Sequence, residues 1–141
     1  MKHYREKLKV LIIEDSEFDI KAISKVLFQY SAKIDTAVNG MEAAEKLIKT
    51  KYDLVYLDLS LPEITGIQFL IGFSGTLCMK DTKIVVVTGN ESKASERVCK
   101  SFGVHEYLSK PVLSKNNIQK FKRLLLDIKR EKKNESVSAS G

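Results

Sequence analysis

Five polar residues stand directly after short apolar runs, and their types together suit the chemistry of a phosphoryl group. Glu14 and Asp15 follow Val10 to Ile13, Asp58 follows Leu54 to Leu57, Thr88 follows Ile84 to Val87, and Lys110 follows the run ending at Leu108. Taken singly each has an ordinary reading: an acidic pair as a capping turn, a threonine as a β-former, a lysine before proline as a solvated loop charge. Their joint placement is harder to obtain by accident. Three carboxylates meeting in one cleft repel, and a hard divalent cation with oxygen ligands relieves that repulsion. Mg²⁺ fits best, because it keeps several waters, takes one or two carboxylates directly and recruits a phosphate oxygen. A carboxylate such as Asp58 is then a competent nucleophile toward phosphorus, provided charge is neutralised and attack is in line. Mg²⁺, the Lys110 ammonium and the Thr88 hydroxyl would each take one phosphoryl oxygen.

Such residues meet only if the intervening chain returns them to one edge. From Leu8 the sequence alternates short apolar runs with amphipathic stretches, the pattern of a parallel sheet covered on both faces. Strands are predicted at Lys9 to Ile13, Lys33 to Ala37, Leu54 to Leu57, Ile84 to Val87 and Glu106 to Leu108. The first helix starts at Ser16, with Asp19 three residues on in capping-box position and Ile20, Ile23 and Leu27 on one face. Further helices are expected at Met41 to Lys49, Ile67 to about Phe73, Ser92 to Phe102, and Asn117 to Arg130. Gly72 and Gly75 weaken the third, and Gly103 is placed to close the fourth in a left-handed conformation. Repeated βα units imply right-handed crossovers and an α/β, doubly wound, five-stranded parallel sheet with helices on both faces. In the flavodoxin-like strand order 2-1-3-4-5 the first and third strands are neighbours, which brings Asp15 beside Asp58 at the carboxyl edge.

The 141 residues fit one domain, read as residues 8–131 after an arm at 1–7 and before a polar, mobile tail at 132–141. No apolar run reaches the length of a signal-peptide core or a bilayer span, so a cytoplasmic protein is expected. Cys78 and Cys99 are isolated and read as reduced thiols. The net charge of +6 is uneven: residues 110–133 hold nine Lys or Arg against Asp127 and Glu131, so 9 − 2 = +7. The basic character therefore belongs to the last helix, where Lys122, Leu126, Arg130 and Lys133 line one outward face beside Arg123. That face reads either as a solvated surface on which Lys and Arg stems shelter Leu126 or as a contact for an effector protein or a second copy of the chain. Without an aromatic platform or recognition helix it gives no case for nucleic acid. His3 and His105 have no partner that would make either a catalyst.

At this point the sequence resembles the response-regulator receiver family of two-component signalling. The resemblance is carried by Val10-Leu-Ile-Ile-Glu-Asp15, Asp58-Leu-Ser-Leu-Pro-Glu-Ile-Thr-Gly66, Val86-Val-Thr-Gly89 and Gly103-Val-His-Glu-Tyr-Leu-Ser-Lys-Pro111. It implies that Asp58 is the phosphoacceptor, that Glu14 and Asp15 are metal-site acids, and that the Ser60 carbonyl is a further Mg²⁺ ligand. It also implies that Lys110 bridges to the phosphoryl group, that the Lys110-Pro111 bond is cis, and that Thr88 and Tyr107 form the switch pair. The donor would be a histidine kinase or a histidine phosphotransfer protein. The chain would catalyse its own phosphorylation and dephosphorylation without turning over a classical substrate. Gly89 stands where the family usually has alanine, and Ser60 and Asn90 occupy positions that tune phosphoryl lifetime.

Three rival readings exist. A flavodoxin-type cofactor protein shares the fold, but Glu14-Asp15-Ser16-Glu17 would repel its phosphate. An aspartyl-nucleophile phosphatase commonly needs a second Asp where Ser60 stands. A receiver-like module signalling by binding alone, without phosphorylation, is opposed by the complete acid, acid, hydroxyl, ammonium set. The sequence leaves a stand-alone regulator and a piece of a hybrid kinase equally open.

Overall fold

The computed structural model describes residues 7–61 and 64–140, with side chains as far as 135. His3 and most of the leading arm, together with Pro62, Glu63 and Gly141, lie outside the described residues. Five strands alternate with five helices: β1 Leu8–Ile13, α1 Glu17–Phe28, β2 Ala32–Ala37, α2 Gly40–Lys49, β3 Leu54–Asp58, α3 Gly66–Phe73, β4 Lys83–Thr88, α4 Lys93–Ser101, β5 Glu106–Ser109 and α5 Lys115–Ser140. A short 3-10 turn, Leu77–Met79, precedes β4. All strand pairs are parallel, in the order β2-β1-β3-β4-β5.

Strand side chains alternate between two cores because a strand has a period of two. Val10, Ile12, Tyr56, Val85 and Val87 face α1 and α5, meeting Ile23, Leu27, Phe121, Leu125 and Ile128. Leu11, Ile13, Val55, Leu57, Ile84 and Val86 face the opposite layer, meeting Ala43, Leu47, Phe69, Leu70 and Cys99. With both faces covered, each large apolar side chain buried in the central strands contributes about 1.5–3 kcal/mol. The continuous apolar runs seen in the sequence follow from that double coverage.

Hydroxyls and amides fix where helices start. Ser16 caps α1 by accepting from the Asp19 amide at 3.3 Å, Asn39 caps α2, Ser92 caps α4, and Thr65 with Gln68 forms a complete capping box on α3. Gly103 closes α4 at φ 84°, as the sequence predicts.

The last helix departs from expectation. It does not stop at Arg130 ahead of a mobile tail but continues to Ser140. Its second half has partners at the amino edge of the sheet: Lys132 Nζ meets Asp53 Oδ2 at 2.9 Å, and Lys83 Nζ meets Glu131 Oε1 at 3.4 Å. Lys129 lies 5.6 Å over the Tyr30 ring. Polarity signals exposure, whereas the Lys and Glu residues that open the continuation at 131–135 are good helix formers, so an established helix carries on through them.

Candidate functional site

The parallel register sets the site. Ile13 pairs with Leu57, so Glu14 leaves β1 level with Asp58 at the tip of β3. Carboxylate oxygens of Glu14, Asp15 and Asp58 all lie within 4.8 Å of one another. Glu14 and Asp58 are buried, at 0% and 2% exposure, while Asp15 faces solvent. Lys110 leaves β5 with its backbone N–H donating to the Thr88 carbonyl at 2.8 Å. Its ammonium stands 3.3 Å from Asp58 Oδ2 and 3.7 Å from Glu14 Oε2.

Burying Glu14 beside Asp58 and Lys110 perturbs its protonation, and the surrounding acids perturb the lysine's. Desolvation is the largest influence on Glu14, reinforced by the hydrogen bond and charge of Asp58, and its carboxyl is pushed up to about 8. The Ser16 N–H, donating to Glu14 Oε1 at 3.2 Å, and the Lys110 charge pull the other way and lose. For Lys110, burial lowers the ammonium, but the Asp19 hydrogen bond and the charges of Asp58, Glu14 and Asp19 together hold it above its ordinary value. Glu14 Oε2 has no hydrogen-bond donor among the described residues. An all-oxygen donor set, with three carboxylates against one ammonium and a buried carboxylate oxygen that receives no hydrogen bond, fits a hard divalent cation.

Thr88 ends β4 one strand away, 3% exposed, its Oγ1 accepting from the Asn90 N–H at 3.1 Å. Tyr107 is 7% exposed and packs in the core beneath α4, its hydroxyl 3.5 Å from the Ser92 N–H. Ser60 is exposed, and its backbone N–H donates to Asp58 Oδ1 at 2.9 Å. The Lys110-Pro111 peptide is cis, as the resemblance implies. Gly66 packs directly against the backbone that carries Asp58: its N–H donates to the Leu59 carbonyl, and a Cβ there would lie 2.6 Å from Leu59 Cα and 3.0 Å from the Asp58 carbonyl. No larger residue fits so near the Asp58 backbone.

Residues 10–122 match the model of the response regulator receiver domain. The chain belongs to that family. It is 29% identical over 121 residues to hybrid signal transduction histidine kinase B of Dictyostelium discoideum, covering 74% of this chain and 6% of that protein. It is 31% identical over 106 residues to the aerobic respiration control sensor protein ArcB of Escherichia coli, covering 74% of this chain and 14% of the sensor. Among solved structures it resembles the Vibrio cholerae chemotaxis protein CheY4, with TM-score 0.75, 26% identity, and coverage of 84% of this chain and 99% of that one. The chain spans only 15% and 6% of the first two curated relatives it matches. The receiver domain is a phosphoacceptor module of two-component signalling, and its acidic pocket is present in this chain.

Two residues in this region were not legible as site residues. Asp19, expected only to complete a capping box, instead lies 3.0 Å from Lys110 Nζ. The Ser16 N–H that a capping box would offer it is taken by Glu14, leaving the Asp19 carboxylate to turn toward the lysine. Asn117, 4% exposed in the first turn of α5, donates from Nδ2 to the carbonyls of Ser109 at 2.6 Å and Pro111 at 3.0 Å, tying down both flanks of Lys110. His105 accepts from the Ile84 N–H at 3.2 Å, a structural contact at the opposite edge of the sheet. Cys78 and Cys99 are both free thiols, and burial pushes Cys99 up. No helix among the described residues is long and apolar enough to cross a membrane.

Proposed function

We propose that Asp58 accepts a phosphoryl group from the phosphohistidine of a histidine kinase or histidine phosphotransfer protein, and that the modified domain presents a changed surface to a partner. One observation carries this reading: an ammonium 3.3 Å from a buried carboxylate that shares its pocket with two further acids. A carboxylate oxygen of Asp58 attacks phosphorus, the phosphorus–nitrogen bond breaks, and the imidazole leaves with the bonding pair. Lys110 pairs with one phosphoryl oxygen, exchanging part of its contact with Asp58 for the new anion. Glu14, Asp15, Asp58 and the Ser60 carbonyl would hold Mg²⁺, which when bound supplies positive charge and a fixed oxygen position. The Ser60 N–H steadies Asp58 from the remaining side.

The switch is assigned to Thr88 and Tyr107. A Thr88 hydroxyl drawn to the phosphoryl group gives up its contact with the Asn90 N–H, and the ring of Tyr107, already buried beside it, shifts into the space vacated beneath β4. The exposed basic face of α5, with Leu126 51% exposed among Lys122, Arg130 and Lys133, is the proposed contact for an effector or a second copy. The proposed donor and receiver chemistry belong in the cytoplasm.

Incubation with acetyl phosphate tests the reading. Wild type gains label only with Mg²⁺ present, Asp58→Asn gains none, and Lys110→Ala gains it far more slowly. Equal labelling of wild type and Asp58→Asn contradicts it by placing the phosphoryl group on another residue, and no labelling in either contradicts it in favour of signalling by binding alone.

A further inference from the structure

The contact between Asp19 and Lys110 plays no part in the transfer chemistry as written. Asp19 occupies the first turn of α1, where its backbone N–H is committed to Ser16 Oγ at 3.3 Å. That bond fixes the residue while leaving its carboxylate to aim elsewhere. Oδ2 accepts from Lys110 Nζ at 3.0 Å, across 91 residues of sequence, and only 19% of the Asp19 side chain and 28% of the lysine are exposed. The acceptor Asp58 is further from the same ammonium, at 3.3 Å, and Glu14 further still, at 3.7 Å. Coulomb attraction falls as the inverse of distance, so the shorter Asp19 contact offsets the drier surroundings of Asp58, and the two carboxylates hold the ammonium with comparable strength. Asp19 is not among the three acids whose oxygens converge on the candidate cation position. Its negative charge therefore bears on the lysine without being assigned to a metal.

We infer that Asp19 is a positioning residue that competes with the incoming phosphoryl group for the Lys110 ammonium and so sets how tightly this receiver holds the modified state. The inference rests on the proposed phosphorylation of Asp58. Before transfer, Asp19 holds the ammonium beside the acceptor, orders its long stem and lowers the cost of placing it. Once a phosphoryl anion occupies the pocket, the ammonium is divided between two anions, and each contact is weakened by the other. Asp19 also adds a negative charge that a dianionic donor must approach. Competition and repulsion outweigh the lost ordering, because Asp58 and Glu14 also hold the ammonium, at 3.3 and 3.7 Å, so removing the Asp19 charge strengthens anion binding at Asp58. A residue serving only to cap α1 would have no such effect, because the capping bond uses its main chain.

Beryllofluoride binding in the presence of Mg²⁺ measures this directly, as a stable mimic of the aspartyl phosphate. Asp19→Asn preserves shape and the capping bond, and is expected to bind the mimic about three- to tenfold more tightly at low ionic strength, with the gain shrinking in high salt. Asp19→Glu, keeping the charge, is expected to stay close to wild type. In a Lys110→Met background the Asp19→Asn gain is expected to fall below about twofold, since the ammonium being contested is gone. Unchanged or weaker binding by Asp19→Asn overturns the inference, as does a gain that persists undiminished without Lys110. Wild type that binds no beryllofluoride overturns the phosphoacceptor reading itself and this inference with it, whereas wild-type binding with an indifferent Asp19→Asn removes this inference alone.

Discussion

Replacing Glu14 with glutamine should make the metal-free protein more stable at neutral pH, although it removes a buried polar group's charge from a functional pocket. Glu14 is fully buried, and desolvation, followed by the Asp58 hydrogen bond and charge, moves its carboxyl from 4.5 to about 8. The folded state thus keeps a proton that the unfolded chain releases above 4.5. An acid with a raised folded value leaves stability untouched below its unfolded value and erodes it progressively as pH climbs through the window to about 8. At about 1.4 kcal/mol per pH unit, the erosion has a ceiling of about 3–4 kcal/mol at pH 7 and about 4–5 kcal/mol at pH 8. Rearrangement of the pocket recovers part of this, so a gain of about 1–3 kcal/mol is expected for Glu14→Gln at pH 7. The amide can repeat the geometry of the protonated acid, accepting from the Ser16 N–H and donating to Asp58. Urea unfolding in a chelator at a series of pH values checks it: the wild-type midpoint declines between pH 5 and pH 8, and the variant's declines less. Adding Mg²⁺ should reverse the order by stabilising wild type more. Parallel pH profiles, or a variant less stable than wild type at pH 8 without metal, would refute the reasoning.

Three further outcomes follow from single contacts. Gly66→Ala places a Cβ within 2.6 Å of Leu59 Cα, so about 1–3 kcal/mol should be lost in urea unfolding, with slower labelling of Asp58 as its backbone shifts. Asn117→Ala leaves the carbonyls of Ser109 and Pro111 without their shared donor and should cost about 1–3 kcal/mol, with a fall in phosphorylation rate comparable to a mild Lys110 defect. His105 is held below its ordinary value, first by burial and then by the Lys83 charge, so the folded state resists a proton that the unfolded chain accepts. Its contribution is intact above the unfolded value of 6.5 and is lost as pH falls below it; His105→Gln should flatten the decline in thermal midpoint between pH 7.5 and pH 5.

The strands were readable because burial on both faces forces unbroken apolar runs, and each predicted strand agrees with the observed one to within a residue at either end. The start of the first helix was readable where the Ser16 hydroxyl stood before an amphipathic stretch. The convergence of Glu14, Asp15, Asp58 and Lys110 followed from strand order, since residues after parallel strands must share an edge. Three things escaped. The 3-10 turn Leu77–Met79 is too short to show periodicity, and Leu77 is almost fully exposed. The extension of α5 depends on partners contributed by Asp53 and Lys83, which periodicity within the helix does not reveal. Asp19 carried a locally sufficient explanation as a capping residue, and only the third dimension shows that Glu14 occupies the amide it would have used.

The central claim concerns one side chain, and the position of the covalent bond tests it most directly. Treating the protein with acetyl phosphate and Mg²⁺, reducing the acyl phosphate with borohydride and sequencing the peptides by mass spectrometry reads that position. Conversion of Asp58 to homoserine, dependent on Mg²⁺ and absent from chelated controls, is the predicted result. Conversion at Asp15, Asp19 or another acid while Asp58 remains unmodified would contradict the account.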